Sequence, residues 1–142
     1  MSAAARLRRR DEGAEIIVLE RSKYVSFANC GLPYYVGGEI EDPAKLLLHT
    51  PHTLKAALNL DVRINSEVIA IDPAAHSVQV TDTETGEAYT LTYDHLILSP
   101  GALASRPPID GLDSPRVHTL RTVDDALALR EASGTRAVVL GA

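Results

Sequence analysis

The sequence predicts an α/β fold, an incomplete three-layer domain with an antiparallel β-meander inserted into it. Three observations carry this expectation. A basic helical stretch at 2–10 passes through a polar break into the apolar run EIIVLE at 15–20, the order of a helix feeding the second strand of a βαβ unit. Two later apolar runs, HLILS at 95–99 and RAVVLGA at 136–142, lack the alternation of half-buried strands and read as strands covered on both faces. Ahead of both, EVIAID (67–72), HSVQVTD (76–82) and AYTLTY (88–93) are joined by polar turns at 72–75 and 82–87, which is the spacing of a meander.

Taken in order, residues 2–10 place Ala3, Ala4 and Leu7 on one helical face and the arginines elsewhere. Asp11 to Gly13 break the helix, and EIIVLE follows as a short strand buried on both faces, ending on Glu20. Residues 30–37 read as a short helix. Pro33 falls in its first turn, where a missing N–H costs little, and Gly37 and Gly38 end it. A further helix is predicted from Pro51 to about Leu58, then a strand at DVRI, 61–64. After HLILS comes a Pro100–Gly101 turn, and 102–116 form a connecting loop punctuated by Pro107, Pro108 and Pro115. Thr122 or Asp124 caps a helix through Glu131. RAVVLGA then closes the chain as a buried strand running into Gly141, the way a dinucleotide-binding turn begins.

The 142 residues are one domain's worth of chain or a piece of a larger protein, and at 45% hydrophobic they can bury a core. With 14 basic and 19 acidic residues the formal charge is −5, which argues against a nucleic-acid partner, since such affinity comes from neutralising phosphates. A single cysteine makes no internal disulfide, so a reducing cytoplasm is expected. The opening MSAAARLRRR lacks the apolar centre of a secretory signal. No stretch approaches the ~20 apolar residues that span a bilayer, so no membrane partner is expected. His49 and His52 flank Pro51 without carboxylate or cysteine companions, and no metal site is expected there.

The one cysteine, Cys30, lies in SFANCGLPYY, residues 26–35. A reactive cysteine needs its pKa brought below the free value of ~8.5. A helix N-terminus can do this with its unsatisfied N–H groups and dipole. Asn29, or Ser26 a turn earlier, is placed to cap such a helix, and Gly31 would let a flat ligand approach the backbone. Free cysteine is also among the most often buried residues. Residue types alone therefore leave a structural thiol and a reactive one both open.

ERSKYVSFANCGLPYYVGG, residues 20–38, resembles the active-site segment of the single-cysteine FAD-dependent pyridine nucleotide–disulfide oxidoreductases. That group comprises coenzyme A disulfide reductases, NADH oxidases and peroxidases, and persulfide or polysulfide reductases. YDHLILSPGA (93–102) is similar to the family's second FAD-contacting strand and turn, and SEVIAID (66–72) to the strand whose backbone meets the adenine. The resemblance implies a partial FAD-binding, Rossmann-like domain over 1–116. Residues 117–142 would be the connecting helix and first strand of an NAD(P)-binding domain.

It also implies roles. Cys30 is the redox nucleophile beside the flavin. Glu20, followed by Arg21, meets the FAD ribose, Val68 touches adenine through its backbone, and Ser99, Pro100 and Gly101 lie along the flavin nucleotide. Ser2, Arg6, Arg9, Ser26 and Asn29 match positions that bind coenzyme A. Apart from the resemblance, Arg6 and Arg9 lie i, i+3 on one helix face, suited to gripping phosphates, although a solvated basic face is the commoner meaning of such a run. The plain alternatives are a solvated strand end for Glu20, which its place after a βαβ strand disfavours, a common strand valine for Val68, any tight turn for Ser99 to Gly101, and packing aromatics for Tyr34 and Tyr35.

The implied activity passes hydride from NAD(P)H to FAD and electrons on to Cys30, which reduces coenzyme A disulfide or a related per- or polysulfide. Several departures qualify it. The family's Gly-x-Gly-x-x-Gly turn would precede the first residues here, the NAD(P)-binding domain is represented by one strand, and the dimerisation domain is missing. Leu58 stands near where some coenzyme A reductases carry lysine. The expectation is a homodimeric enzyme for the full-length parent and little turnover by this chain alone. The alternatives are an NADH oxidase or peroxidase cycling Cys30 through sulfenic acid, and a non-catalytic remnant with weak nucleotide binding.

Overall fold

The computed structural model describes residues 1–132, 134 and 136–140. Along the chain lie α1 (Ser2–Arg10), β1 (Ile17–Leu19), β2 (Ser26–Phe27), a 3-10 turn (Asn29–Gly31), α2 (Leu32–Gly37) and a second 3-10 turn (Pro43–Leu46). They are followed by β3 (Leu47–His49), α3 (Pro51–Leu58), β4 (Asp61–Arg63), β5 (Ser66–Asp72), β6 (Ser77–Asp82), β7 (Ala88–Thr92) and α4 (Val123–Glu131). Two compact units result: Met1–Phe27 with Leu47–Pro100, and Ala28–Leu46 with Gly101–Ala142.

In the first unit β1 and β4 pair in parallel, Ile17 opposite Asp61 and Leu19 opposite Arg63. The Thr50–Thr53 capping box starts α3, with Pro51 in its first turn, and Asn59 at φ 48° ends it. β2 and β3 form a short antiparallel pair. The meander is present as predicted, β5–β6–β7, all antiparallel. Its turns are Asx turns. Asp72 Oδ1 accepts the N–H groups of Ala74 and Ala75 at 2.9 Å, and Asp82 Oδ1 accepts those of Thr85 and Glu84 at 2.8 Å. These last donors hold the Asp82 carboxyl below its ordinary pKa. Ile16, Leu54, Leu60, Val78 and Val80 are buried.

In the second unit α2 packs on α4, and Leu32, Tyr35, Leu46, Val123 and Ala126 are buried. Thr122, not Asp124, caps α4: its Oγ1 accepts the Asp125 N–H at 3.1 Å while Asp125 Oδ2 accepts the Thr122 N–H at 2.9 Å. Arg130 Nη1 donates to the carbonyls of Tyr35 and, at 2.7 Å, Ile40, with its guanidinium 4.5 Å from the centre of the Tyr35 ring. One side chain thus closes the C-terminal end of α2.

Four expectations need correction. On α1 the inward residue is Arg8, 9% exposed, while Leu7 is 40% exposed. Arg8 donates to the carbonyls of Leu58 (2.9 Å), Asn59 (3.0 Å), Glu12 (2.6 Å) and Asp11 (3.3 Å). A guanidinium can satisfy the orphan carbonyls at two helix ends, which no apolar side chain can do. β1 is three residues long and half-buried rather than covered on both faces; β4 is its one ladder partner among the described residues.

HLILS forms no strand. It is irregular, with Ile97 62% and Leu98 67% exposed, because none of the described residues offers it a ladder. Apolar composition sets a preference for burial but does not supply the hydrogen-bonding neighbour a strand requires. For the same reason 136–140 are irregular and exposed, and the predicted end of that strand, 141–142, lies outside the described residues.

Candidate functional site

The thiol sits where β2 gives way to helix. The Ala28 N–H donates to the Leu46 carbonyl at 2.8 Å, and the Gly31 N–H closes the 3-10 turn on the Ala28 carbonyl at 2.9 Å. The chain then enters α2, six residues long with Pro33 in its first turn. Cys30, in the middle of the 3-10 turn, is free and exposed. A thiol walled into the core is therefore not what this chain has. The capping expectation fails: neither Ser26 nor Asn29 caps a helix here, and both helical starts lack a side-chain cap bond. The 3-10 turn spends the Gly31 donor on its own backbone, and the Asn29 Oδ1 instead accepts from Arg121 Nη1 at 3.5 Å.

Gly31 is required by packing. A β-carbon there would stand 2.8 Å from Leu46 Cδ2 and 3.5 Å from Ile40 Cδ1, and Leu46 is fully buried. Gly31→Ala is expected to cost about 1–3 kcal/mol through overpacking. It is also expected to alter the alkylation rate of Cys30, because the displaced turn carries the sulfur. Denaturant titration and thiol labelling check the two effects.

Of the residues expected to meet the nucleotide, Glu20, Arg21, Val68, Ser99 and Pro100 lie in the first unit and Gly101 in the second. Glu20 is held on all sides. Its N–H donates to the Arg63 carbonyl and its carbonyl accepts the Ser66 N–H, both at 2.9 Å. Its Oε1 accepts the Ser22 N–H at 2.8 Å and the Ser22 hydroxyl at 2.7 Å. Oε2 has no donor among the described residues, so one oxygen of an oriented, half-buried carboxylate is left to accept from outside. That fits the ribose diol of FAD.

Arg21, exposed, pairs with the half-buried Glu67 at 3.6 Å, which ties the residue after Glu20 to β5. Arg63 is hydrogen-bonded to Asp61 at 2.7 and 3.0 Å, and that bond raises its pKa. Val68 is exposed on β5 opposite Val80, and a bulge between Val68 and Ala70 leaves Ile69 out of the ladder. A bulge frees backbone groups beside it. Ser99, Pro100 and Gly101 are irregular and exposed; Gly101 takes φ 74°, a left-handed value that a β-carbon disfavours.

The remaining candidates are spread out. Ser2, Arg6 and Arg9 are exposed along α1. Arg9 lines an open groove of about 420 Å³ with Arg8, Glu12 and the end of α3, and neither Ser2 nor Arg6 lines it. Ser26 pairs with His49 in the β2–β3 ladder. No helix among the described residues is long and apolar enough to cross a membrane. Arg121 went unread in the sequence; it lies 92 residues from Asn29 and belongs to no motif.

A family model described as pyridine nucleotide-disulphide oxidoreductase matches residues 1–142. The chain belongs to this family. Among its curated relatives, the coenzyme A disulfide reductase of Staphylococcus haemolyticus is 37% identical over 145 residues, covering 99% of this chain and 32% of that protein. Among solved structures, reduced CoADR-RHD of Bacillus anthracis superposes with a TM-score of 0.87 at 45% identity, over 91% of this chain and 23% of that one. An NAD-dependent persulfide reductase from A. fulgidus superposes at 0.82 and 35% identity, over 88% and 24%. This member of the oxidoreductase family thus spans about a third of the curated relatives' length, and its fold is that of their nucleotide-binding, Rossmann-like domain.

Proposed function

We propose that the protein carrying this chain is an FAD-dependent NAD(P)H oxidoreductase that reduces coenzyme A disulfide, or a related persulfide or polysulfide, through Cys30. The observation that carries this is the exposure of the one thiol, on the turn entering α2, in a chain of this family. Similarity to a coenzyme A disulfide reductase and to a persulfide reductase supports the substrate class. Because the chain spans about a third of those relatives, the activity is assigned to the protein that carries it, and the chain alone is expected to turn over little NAD(P)H.

In the proposed reaction the Cys30 thiolate attacks a disulfide RSSR. The S–S bond breaks, Cys30–S–S–R forms and one RS⁻ leaves. Two electrons then cleave the mixed disulfide, restoring the thiolate and releasing the second RS⁻. Bound FAD would supply the transfer of those two electrons from NAD(P)H. Glu20 accepts from the ribose through Oε2, Val68 offers backbone to the adenine, and Arg21, Ser99, Pro100 and Gly101 line the nucleotide. Ser2, Arg6, Arg9, Ser26 and Asn29 hold the coenzyme A moiety. The same reading assigns 1–116 to FAD and 117–142 to the start of an NAD(P) domain. It makes the carrier a cytoplasmic homodimer acting on a small molecule, with neither nucleic acid nor a membrane as partner.

Mass spectrometry of Cys30 in the protein as isolated tests the assignment. A coenzyme A adduct or persulfide is the expected result. A stable sulfenic acid would assign an NADH oxidase or peroxidase instead, and a colourless protein with an unmodified thiol a non-catalytic nucleotide binder. Glu20→Ala is expected to weaken FAD binding about tenfold or more, the worth of a hydrogen bond to a charged group. Flavin fluorescence titration measures it, and unchanged affinity removes Glu20 from the site.

A further inference from the structure

Arg121 stands immediately before the Thr122 cap of α4, and its guanidinium bonds only neutral oxygens. Nε donates to the Ala102 carbonyl at 3.4 Å and Nη1 to Asn29 Oδ1 at 3.5 Å. Of the two acidic residues in the first turn of α4, Asp124 and Asp125, the second turns to the backbone: its Oδ2 accepts the N–H groups of Arg121 and Thr122 at 2.8 and 2.9 Å. Among the described residues no carboxylate pairs with the guanidinium. An exposed guanidinium with no carboxylate bonded to it is therefore held on the residue that precedes the thiol, with Asp124 and Asp125 following in the first turn of α4. Asn29 also keeps its two Nδ2 donors, so hydrogen-bond donors and one guanidinium stand beside the turn that carries the thiol.

We infer that Arg121 is a specificity-determining residue of the thiol site, favouring anionic acceptors at Cys30 over neutral ones. The inference rests on the proposed role of Cys30 and narrows its substrates to disulfides bearing phosphates or carboxylates and to polysulfide anions, at the expense of peroxide and oxygen. An anion approaching a thiolate is repelled. A cation within a Debye length, ~10 Å at 0.1 M salt, offsets that repulsion and is worth about two- to fivefold in rate.

Cys30 is the only thiol in the chain, so alkylation reports on it alone. The purified chain is labelled with iodoacetate, an anion, and with iodoacetamide, which is neutral, and the ratio of the two rates is taken. The thiolate fraction cancels in that ratio. In the folded chain the ratio is expected to exceed its value in concentrated urea by about two- to fivefold at low ionic strength, and to fall toward it in high salt. Arg121→Gln is expected to bring the ratio down to the urea value with the circular dichroism unchanged, and Arg121→Lys to preserve most of it.

A glutamine variant with the wild-type ratio overturns the inference, as does a wild-type ratio that ignores both urea and salt. Should the glutamine variant not fold, the lysine variant and the salt dependence decide. Turnover of coenzyme A disulfide by the flavin-loaded carrier is measured separately. Its absence would sink the proposed function while leaving the alkylation ratio to stand or fall by itself.

Discussion

Replacing Cys30 by serine in the flavin-loaded protein is expected to lower disulfide turnover on the order of a thousandfold or more, with stability almost unchanged. The hydroxyl is a far weaker nucleophile at neutral pH than a thiol, and it cannot form the S–S bond that carries electrons to the second half of the substrate. Because the side chain is exposed, the change removes no packing and should stay within about 0.5 kcal/mol of wild type. NAD(P)H consumption with coenzyme A disulfide gives the rate, and thermal unfolding gives the stability. Flavin content should be retained, since none of the residues proposed to hold FAD is altered. Turnover surviving at a tenth of wild type, roughly one order of magnitude, would take the redox role away from this residue.

Arg8→Ala is expected to destabilise the first unit by about 3 kcal/mol, whereas Arg9→Ala, one residue along, should cost less than about 0.5 kcal/mol. The difference lies in their surroundings. Arg8 is buried and bonded to four carbonyls, two of them at the end of α3. Removing it strands carbonyls that neither helix can satisfy internally. Arg9 is exposed along the groove. Arg8→Lys should recover part of the loss, since an ammonium has donors but lacks the planar fork that reaches both helix ends. Urea denaturation with an unchanged m-value measures all three variants. Equal losses for Arg8 and Arg9 would show that this carbonyl network does not hold the unit together.

Much of the local structure was legible in the sequence because its signals act within a few residues. The helix predicted from Pro51 is present as α3, and the structure adds the Thr50–Thr53 capping box that starts it. The polar turns predicted at 72–75 and 82–87 are present, and the structure shows them to be Asx turns on Asp72 and Asp82. The helix at 2–10 has the predicted bounds, but its buried face was misread. Periodicity counts apolar residues, while the deciding group was a cation with four backbone partners, two of them 50 and 51 residues away. HLILS and 136–140 failed differently: their composition suits a buried strand, and a strand exists only where a neighbour supplies the ladder.

The candidate site divides along the same line. Cys30 and its flanking residues could be picked out because sulfur chemistry resides in one side chain and the surrounding pattern is contiguous. That Glu20 keeps one carboxylate oxygen available follows only from Ser22 turning back onto the other. Arg121 could not be read at all, since its meaning comes from Asn29 and Ala102 meeting it across the chain.

The sequence by itself determined the family, most helix and turn boundaries, and the presence of a single thiol. Tertiary structure alone decided that this thiol is exposed, that Arg8 faces inward, that Arg121 stands beside the cysteine turn, and which apolar runs become strands. Capping and turn chemistry are settled among residues a few positions apart. Burial, ladder pairing and the reach of a guanidinium depend on groups that only folding brings within bonding distance.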